Sequence, residues 1–171
     1  MKPIRVMIVD DHPLLRDALR AIFEDEEDFE IIAEVANGRE ATQMALDLKP
    51  DVMIVDLYIP DGDGIEVIQS VRDQDPTARI LVFTSSTEEI KIVESVQAGA
   101  MGYLIKDARR GEILHAISEI YAGRSYFPPQ VSEKLANALR HARSDDAQLG
   151  KEQLTGKEKA VLELIKEGDS N

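Results

Sequence analysis

The sequence of 171 residues contains no cysteine. This absence excludes disulfides, thiolate nucleophiles and cysteine-type zinc sites, and it suits a reducing compartment. We therefore expect a cytoplasmic protein whose chemistry is carried by oxygen and nitrogen groups.

Long apolar runs are also missing. The longest runs have about the length of a β-strand, which is too short for a membrane-spanning helix. Acidic residues interrupt the N-terminal stretch MKPIRVMIVDD, so this stretch lacks the apolar core of a signal peptide. We expect no membrane partner.

Basic residues are scarce relative to acidic ones. The chain has 20 Lys and Arg against 33 Asp and Glu, and its formal net charge is −13. Because affinity for nucleic acid comes largely from neutralising phosphates, such a surface repels DNA. Most of these acidic residues are expected on a solvated surface. The composition therefore predicts that this chain alone binds DNA poorly.

Two hydrophobic periods alternate over the first 122 residues. Short apolar or β-branched runs predict five strands, at residues 4–9, 30–35, 51–56, 79–84 and 102–105. A stretch with helical spacing follows each strand. This alternation predicts an α/β fold with a parallel sheet. The first, third and fourth strands are nearly all apolar, as expected when helices cover both faces of the sheet.

Capping residues mark several predicted helix ends. Pro13 suits the first turn of the first helix. Residues with N-cap chemistry precede three later helices, and glycines follow the fourth and fifth helices. These predicted caps are Asn37 with Glu40, Asp63, Ser86 with Glu89, Gly99 and Gly123.

The pattern changes from Arg124 onward. Residues 131–143 have helical spacing, and the polar stretch 144–153 has the composition of a linker. Residues 154–171 form one amphipathic helix with a capping box of Thr155 and Glu158 and a staple residue at Leu154. One such helix cannot make a domain. We therefore expect it to be the first helix of a truncated second domain.

Chemically active side chains follow the predicted strands at their C-terminal ends. Right-handed crossovers place all of these ends on one edge of the sheet, where ligands bind. The side chains are Asp10, Asp11, Asp56, Thr84 and Lys106. Clustered carboxylates repel one another unless a cation lies among them, and hard oxygen ligands indicate Mg²⁺ or a similar ion. An aspartate beside a divalent ion and a lysine can attack phosphorus.

Four stretches carry a resemblance to a known family. VDD (9–11), VDLYIPDGDG (55–64), FTS (83–85) and GYLIK (102–106) resemble the receiver domain of two-component response regulators. The tail LTGKEKAVLELIKEGDSN resembles the start of the helix-turn-helix domain of the NarL/FixJ (LuxR-like) subfamily, and GRSYFPPQVSEKLANAL resembles its linker.

The resemblance implies a domain organisation and a topology. Residues 1–122 would form the receiver, residues 123–153 a linker with one helix, and residues 154–171 the first helix of a truncated output domain. The receiver would be a doubly wound, flavodoxin/CheY-like sheet of five parallel strands in the order 2-1-3-4-5.

The resemblance also implies a phosphoacceptor and a metal site. Asp56 would accept the phosphoryl group. Asp11, Asp56 and the backbone carbonyl of Tyr58 would ligate Mg²⁺ or Mn²⁺, and Asp10 would act mostly through water.

Three further residues would form the switch. Lys106 would pair with the phosphoryl group, Thr84 would move to hydrogen-bond it, and Tyr103 would rotate inward. Many receivers follow this lysine with a proline in a cis peptide. Asp107 follows it here, so we expect no cis bond.

The resemblance implies a regulator whose chemistry is limited to its own phosphotransfer and dephosphorylation. A sensor histidine kinase would donate the phosphoryl group, and phosphorylation would favour a homodimer. DNA would be a partner of the full-length protein and not of this chain.

Simpler interpretations exist for single residues. Asp11 could cap the first helix, Asp56 could only end a strand, Lys106 could be a solvated surface group and Tyr103 could only pack in the core. No histidine has partners at metal-ligand spacing, so all three are interpreted as structural or surface residues. They are His12, His115 and His141.

Two other functions remain open. An aspartyl-phosphate hydrolase resembling the haloacid dehalogenase group would need a second acid two residues after the nucleophile, and Tyr58 occupies that position. A stand-alone receiver would act through protein contacts alone.

Overall fold

The computed structural model describes residues 2–149 and 156–168. Seven strands occur in this part of the chain: β1 (Ile4–Val9), β2 (Phe29–Val35), β3 (Val52–Val55), β4 (Tyr58–Ile59), β5 (Gly62–Asp63), β6 (Ile80–Thr84) and β7 (Gly102–Ile105). Five of them form a parallel sheet in the order β2-β1-β3-β6-β7. This is the predicted doubly wound order. The β4–β5 hairpin was not predicted, and it forms a separate two-stranded sheet.

Seven helices accompany the strands in the described residues: α1 (Pro13–Glu24), α2 (Gly38–Leu48), α3 (Gly64–Gln74), α4 (Glu89–Ala98), α5 (Arg110–Tyr121), α6 (Pro129–Leu149) and α7 (Gly156–Gly168). No helix among the described residues combines the length and the apolar character needed to cross a membrane.

Both faces of the sheet are buried, because helices cover each of them. On β1, Met7 and Val9 face the core beneath α2, α3 and α4, whereas Val6 and Ile8 face the core beneath α1 and α5. All four side chains are fully buried. The burial explains why β1, β3 and β6 are continuous apolar runs rather than alternating ones.

The tetrapeptide MIVD occurs twice, at residues 7–10 and 53–56, and the register of β1 and β3 aligns the two copies. Val9 pairs with Val55, and the backbone N–H of Asp56 donates to the carbonyl of Val9 over 2.9 Å. Asp10 and Asp56 therefore leave the sheet side by side.

Several helix ends follow the predicted caps. The side chain of Asn37 accepts a hydrogen bond from the backbone N–H of Glu40 over 2.9 Å, and Asp63 accepts one from Ile65 over 2.9 Å. Gly99 follows α4 with a φ of 115° in the left-handed region, where glycine is unstrained.

The predicted cap of α4 is wrong. The helix begins at Glu89, and its N-cap is Glu88, which makes no side-chain capping bond. Ser86 is buried instead: its carbonyl accepts a hydrogen bond from the Tyr103 hydroxyl over 3.0 Å, and its Oγ accepts one from the N–H of Glu88 over 3.3 Å. Because these contacts hold Ser86 against the sheet, the helix starts two residues later than a cap at Ser86 would place it.

The predicted boundary of α6 is also wrong. The helix was expected over residues 131–143 and extends over Pro129–Leu149, so six residues of the expected linker are helical. Residues 144–149 are polar but contain neither proline nor glycine, and polarity alone does not end a helix. The predicted caps at Leu154 and Thr155 lie outside the described residues.

Helices α6 and α7 pack on α4. Val131 and Leu135 of α6 and Val161 of α7 are buried in the same core cluster as Ile92 and Val96 of α4. The side chain of Lys134 on α6 also donates a hydrogen bond to the backbone carbonyl of Thr87, in the loop before α4. The described helices beyond the sheet are therefore continuous with the core that covers the sheet.

The chain returns to the sheet after α5. Tyr126 pairs with Gly102 alongside β7: the N–H of Tyr103 donates to the carbonyl of Tyr126 over 3.2 Å, and the N–H of Tyr126 donates to Met101 over 3.0 Å. A Cβ at position 102 would lie 2.9 Å from that Tyr126 carbonyl and 2.7 Å from Ile120. Only glycine permits this close approach.

Candidate functional site

Three carboxylates converge at the C-terminal edge of the sheet. Asp10 and Asp56 follow β1 and β3 and are only 3% and 2% exposed, and Asp11 is partly buried. One ligand atom from each of these aspartates and from His12 lies within 4.8 Å of the others. The predicted convergence of the acids is confirmed by this geometry.

Lys106 bridges two of the carboxylates. It follows β7, and its Nζ lies 2.8 Å from Asp10 Oδ2 and 2.7 Å from Asp56 Oδ2. Burial alone would lower the pKa of Lys106, but the hydrogen bonds to Asp10 and Asp56 outweigh it and leave the pKa raised. The ammonium therefore stays charged. The peptide bonds of the described residues are all trans, so the expected absence of a cis bond before Asp107 is confirmed.

Asp11 does not cap α1. The N-cap of that helix is His12, and its side chain makes no capping bond. Asp11 Oδ1 is buried and has no hydrogen-bond partner in the described part of the chain. A buried carboxylate oxygen without a donor is costly unless a cation compensates it. Three carboxylates with one such oxygen fit a hard divalent ion such as Mg²⁺.

His12 belongs to the same cluster, although it was interpreted as a structural or surface residue. Its ring Nδ1 lies 3.0 Å from Asp10 Oδ1 in hydrogen-bond geometry. It also lies 3.0 Å from Asp11 Oδ1, but the angle of that approach does not make a hydrogen bond. The interpretation of His12 as a residue without partners at this site is wrong. His115 packs against Tyr126, and His141 is exposed on α6.

A glycine lets the loop after Asp56 fold tightly over the site. The N–H of Gly64 donates to the carbonyl of Leu57 over 2.9 Å, and a Cβ at Gly64 would lie 2.1 Å from the backbone oxygen of Asp56. The backbone N–H of Tyr58 approaches Asp56 Oδ1 at 3.4 Å, and the Tyr58 side chain is 47% exposed. The ligand role of the Tyr58 carbonyl stays a prediction.

Thr84 and Tyr103 lie beside the carboxylates on β6 and β7. Both are completely buried, and Thr84 Oγ1 has no hydrogen-bond partner among the described residues. Tyr103 already points inward, with its hydroxyl donating to the Ser86 carbonyl over 3.0 Å. Burial raises the pKa of Tyr103 far above its usual value, so the phenol remains a donor. Its predicted rotation stays a prediction.

The family model of the response regulator receiver domain matches residues 6–118, which include every residue of this site. The chain belongs to the response regulator family. Transcriptional regulatory protein LiaR of Bacillus subtilis is 36% identical over 168 residues, which cover 98% of this chain and 79% of LiaR. Nitrate/nitrite response regulator protein NarL of Escherichia coli is 31% identical, with 99% of this chain and 78% of NarL covered.

Solved structures support the same assignment. A LuxR-family two-component response regulator from Aurantimonas superposes with a TM-score of 0.75 at 34% identity, covering 80% of this chain and 97% of that one. The RcsB response regulator of Salmonella typhimurium superposes with a TM-score of 0.71 at 26% identity, covering 98% of this chain and 79% of RcsB. This protein is thus a response regulator related to NarL and LuxR-family members along nearly its whole length.

Proposed function

We propose that this response regulator accepts a phosphoryl group on Asp56 from a sensor histidine kinase and thereby controls a DNA-binding output. The observation that carries the proposal is the bridge from Lys106 Nζ to Asp10 and Asp56 at 2.8 and 2.7 Å. Thr84 ends β6, the strand that pairs with β3, and its buried hydroxyl has no hydrogen-bond partner among the described residues. The site thus offers an ammonium in contact with the buried acid and a hydroxyl at the end of the neighbouring strand. Both are groups that a phosphoryl oxygen needs as partners.

The chemistry follows from how Asp56 is held. Its buried carboxylate would form an O–P bond while the P–N bond to the donor histidine breaks and the imidazole nitrogen keeps the electron pair. Lys106 offsets part of the negative charge of the resting carboxylates and would then pair with a phosphoryl oxygen. Asp10, Asp11 and Asp56, with the Tyr58 carbonyl, would hold Mg²⁺ or Mn²⁺. When bound, this ion would offset negative charge on the phosphoryl oxygens.

A switch would then follow from unsatisfied hydrogen bonding. Thr84 Oγ1 is buried and has no partner in the described part of the chain, so a new acceptor at Asp56 would draw its hydroxyl and the following loop toward the site. That loop carries the Ser86 carbonyl to which Tyr103 donates and the Thr87 carbonyl that Lys134 contacts. Displacement of this loop would therefore alter its hydrogen bonds to both β7 and α6.

The phosphoacceptor is tested by intact-mass spectrometry after incubation with acetyl phosphate and Mg²⁺. We expect the wild type to gain one phosphoryl group and Asp56→Asn to gain none. Asp61→Asn is the matched control, because Asp61 is exposed in the same loop with a φ of 65° that asparagine also adopts. Unchanged labelling of Asp56→Asn would refute the assignment.

The switch is tested with Thr84→Val. We expect the free energy of unfolding to stay unchanged or to rise by about 1 kcal/mol, since an unpaired hydroxyl is removed. The beryllofluoride-induced change in hydrogen exchange at residues 85–88 should be lost. Ser125→Ala is the control: Ser125 Oγ is also buried without a partner in the described chain, but it lies on the segment after α5. A full beryllofluoride response in Thr84→Val would contradict the proposed role.

The alternatives receive less support. A hydrolase would need an acid at Tyr58, whose side chain points outward. We therefore propose that the chain is not an enzyme beyond its own phosphotransfer and dephosphorylation. A phosphorylation-dependent homodimer remains a prediction, for which sedimentation with and without beryllofluoride is the measurement.

A further inference from the structure

We propose that His12 donates its imidazole Nδ1 to a divalent ion at the carboxylate cluster, and that this ligand makes the site favour first-row transition metals over Mg²⁺. The inference rests on the metal site of the proposed function and adds a ligand and a metal preference to it. Mg²⁺ prefers oxygen donors and keeps several waters. Imidazole nitrogen suits later transition metals.

The backbone conformation of His12 positions its imidazole ring beside the carboxylate cluster. His12 directly follows the acid pair in an extended conformation, with φ −82° and ψ 108°, and Pro13 favours that conformation for the residue before it. The N–H of His12 donates to Asp10 Oδ1 over 2.8 Å, and its carbonyl accepts from Leu15 and Arg16 at 3.2 Å each. Hydrogen bonds therefore fix both polar groups of the His12 backbone, and the remaining freedom of this residue is rotation of its side chain.

The ring is already within coordinating range of the acids. Nδ1 lies 3.0 Å from one oxygen of Asp10 and 3.0 Å from one oxygen of Asp11. The His12 side chain is 62% exposed, so an ion can reach Nδ1 from solvent. An ion among these atoms would find one nitrogen and several oxygens within the 4.8 Å cluster.

A second, independent observation indicates a cation. The Asp11 side chain is 32% exposed, but its Oδ1 is buried and has no hydrogen-bond partner among the described residues, although the imidazole nitrogen is 3.0 Å away, because the approach lacks hydrogen-bond geometry. Nδ1 has the hydrogen bond to Asp10 Oδ1, whereas Asp11 Oδ1 has none in the described part of the chain. An ion bound to Nδ1 and to Asp11 would give this carboxylate oxygen a partner.

The alternative to direct ligation is that His12 only forms an ion pair with the acids. In that case His12 would affect all divalent ions alike, since its influence would be purely electrostatic. Direct ligation predicts a different result, because removing a nitrogen donor weakens the binding of imidazole-preferring ions selectively.

The test is isothermal titration calorimetry of the whole chain with Mg²⁺, Mn²⁺ and Ni²⁺, at one pH, for wild type, His12→Ala and His12→Gln. We expect His12→Ala to lose about 10- to 100-fold in Ni²⁺ affinity, less in Mn²⁺ affinity and less than about twofold in Mg²⁺ affinity. His141→Ala is the control for histidine binding elsewhere, because His141 is exposed on α6. Equal losses for the three ions, or no loss, would overturn the proposal.

A spectroscopic readout tests ligation itself. Electron spin echo modulation of the Mn²⁺-loaded wild type should reveal one nitrogen coupling that disappears in His12→Ala and persists in His141→Ala. A coupling that survives in His12→Ala, or none in the wild type, would overturn the proposal. These measurements do not depend on phosphotransfer, so the failure of Asp56 as phosphoacceptor would leave them interpretable.

Discussion

At the scale of single residues, the position of Asp56 depends on a glycine, which contributes no side chain at all. The backbone of Gly64 lies against the backbone of Asp56 and Leu57, and the space that a Cβ would occupy is filled by the Asp56 carbonyl oxygen 2.1 Å away. The obstacle is backbone rather than a flexible side chain. This backbone therefore cannot make room for a Cβ at position 64 without displacing Asp56.

We expect Gly64→Ala to destabilise the protein by about 1–3 kcal/mol, the usual cost of overpacking. It should also slow phosphorylation by acetyl phosphate, because Asp56 would be displaced. Chemical denaturation and the rate of labelling measure the two effects.

Gly111→Ala is the matched control for this prediction. Gly111 lies on the exposed first turn of α5, and a Cβ there would meet nothing within 4 Å. We expect it to leave labelling unchanged and stability equal or slightly higher, because alanine is the better helix former. Similar losses in both variants would show that the close approach to Asp56 is not the cause.

Site residues could be predicted from the sequence where they lie at the end of a strand. Asp10, Asp11, Asp56, Thr84 and Lys106 follow strands whose apolar runs are plain in the sequence, and a parallel sheet brings such ends together. His12 was misinterpreted, because its proximity to the acids comes from side-chain direction at a helix N-cap rather than from ligand spacing. The chemical roles of these residues stay predictions.

At the scale of elements, the loop between β6 and α4 links the site to the linker helix. Its Ser86 carbonyl is held by Tyr103 of β7, and its Thr87 carbonyl is held by Lys134 of α6. The loop begins immediately after Thr84. A movement of Thr84 would therefore be transmitted to α6 through one hydrogen bond of a charged donor.

We expect Lys134→Met to loosen the start of α6. The lost hydrogen bond contributes about 1 kcal/mol, which corresponds to roughly fivefold faster hydrogen exchange in residues 85–88 and the first turns of α6. Mass-detected hydrogen exchange is the measurement.

Arg143→Met is the control, because it removes a cation from the exposed far part of the same helix. It should leave exchange at residues 85–88 unchanged. Equal acceleration by both substitutions would indicate a general effect of charge instead of the contact with Thr87.

Element types were predictable here, and some of their ends were not. Asn37 and Asp63 cap their helices as their chemistry predicts, since a cap is a local hydrogen bond. Ser86 has the same local chemistry but does not cap its helix. Its carbonyl instead accepts a hydrogen bond from Tyr103, which is seventeen residues away in sequence. The β4–β5 hairpin of two residues per strand is too short for any periodicity to reveal.

At the scale of the whole molecule, charge governs interaction with nucleic acid. The formal net charge of −13 opposes the approach of phosphates, and α7 packs with α4 and α6 through Val161 instead of standing free. We expect no sequence-specific DNA binding by this 171-residue chain in electrophoretic mobility shifts at physiological salt. A shift that specific DNA competes away and unrelated DNA does not would contradict this expectation.

The stretch after α5 has a consequence for transplanting this receiver. β7 is the last strand of the sheet, and an unpaired last strand offers its free amides to any other chain, which invites aggregation. Tyr126 occupies part of that edge through its bonds to Met101 and Tyr103. A chimera that joined a foreign output module directly after residue 122 would uncover this edge. A junction placed beyond Tyr126 would carry the protecting residue along with the sheet.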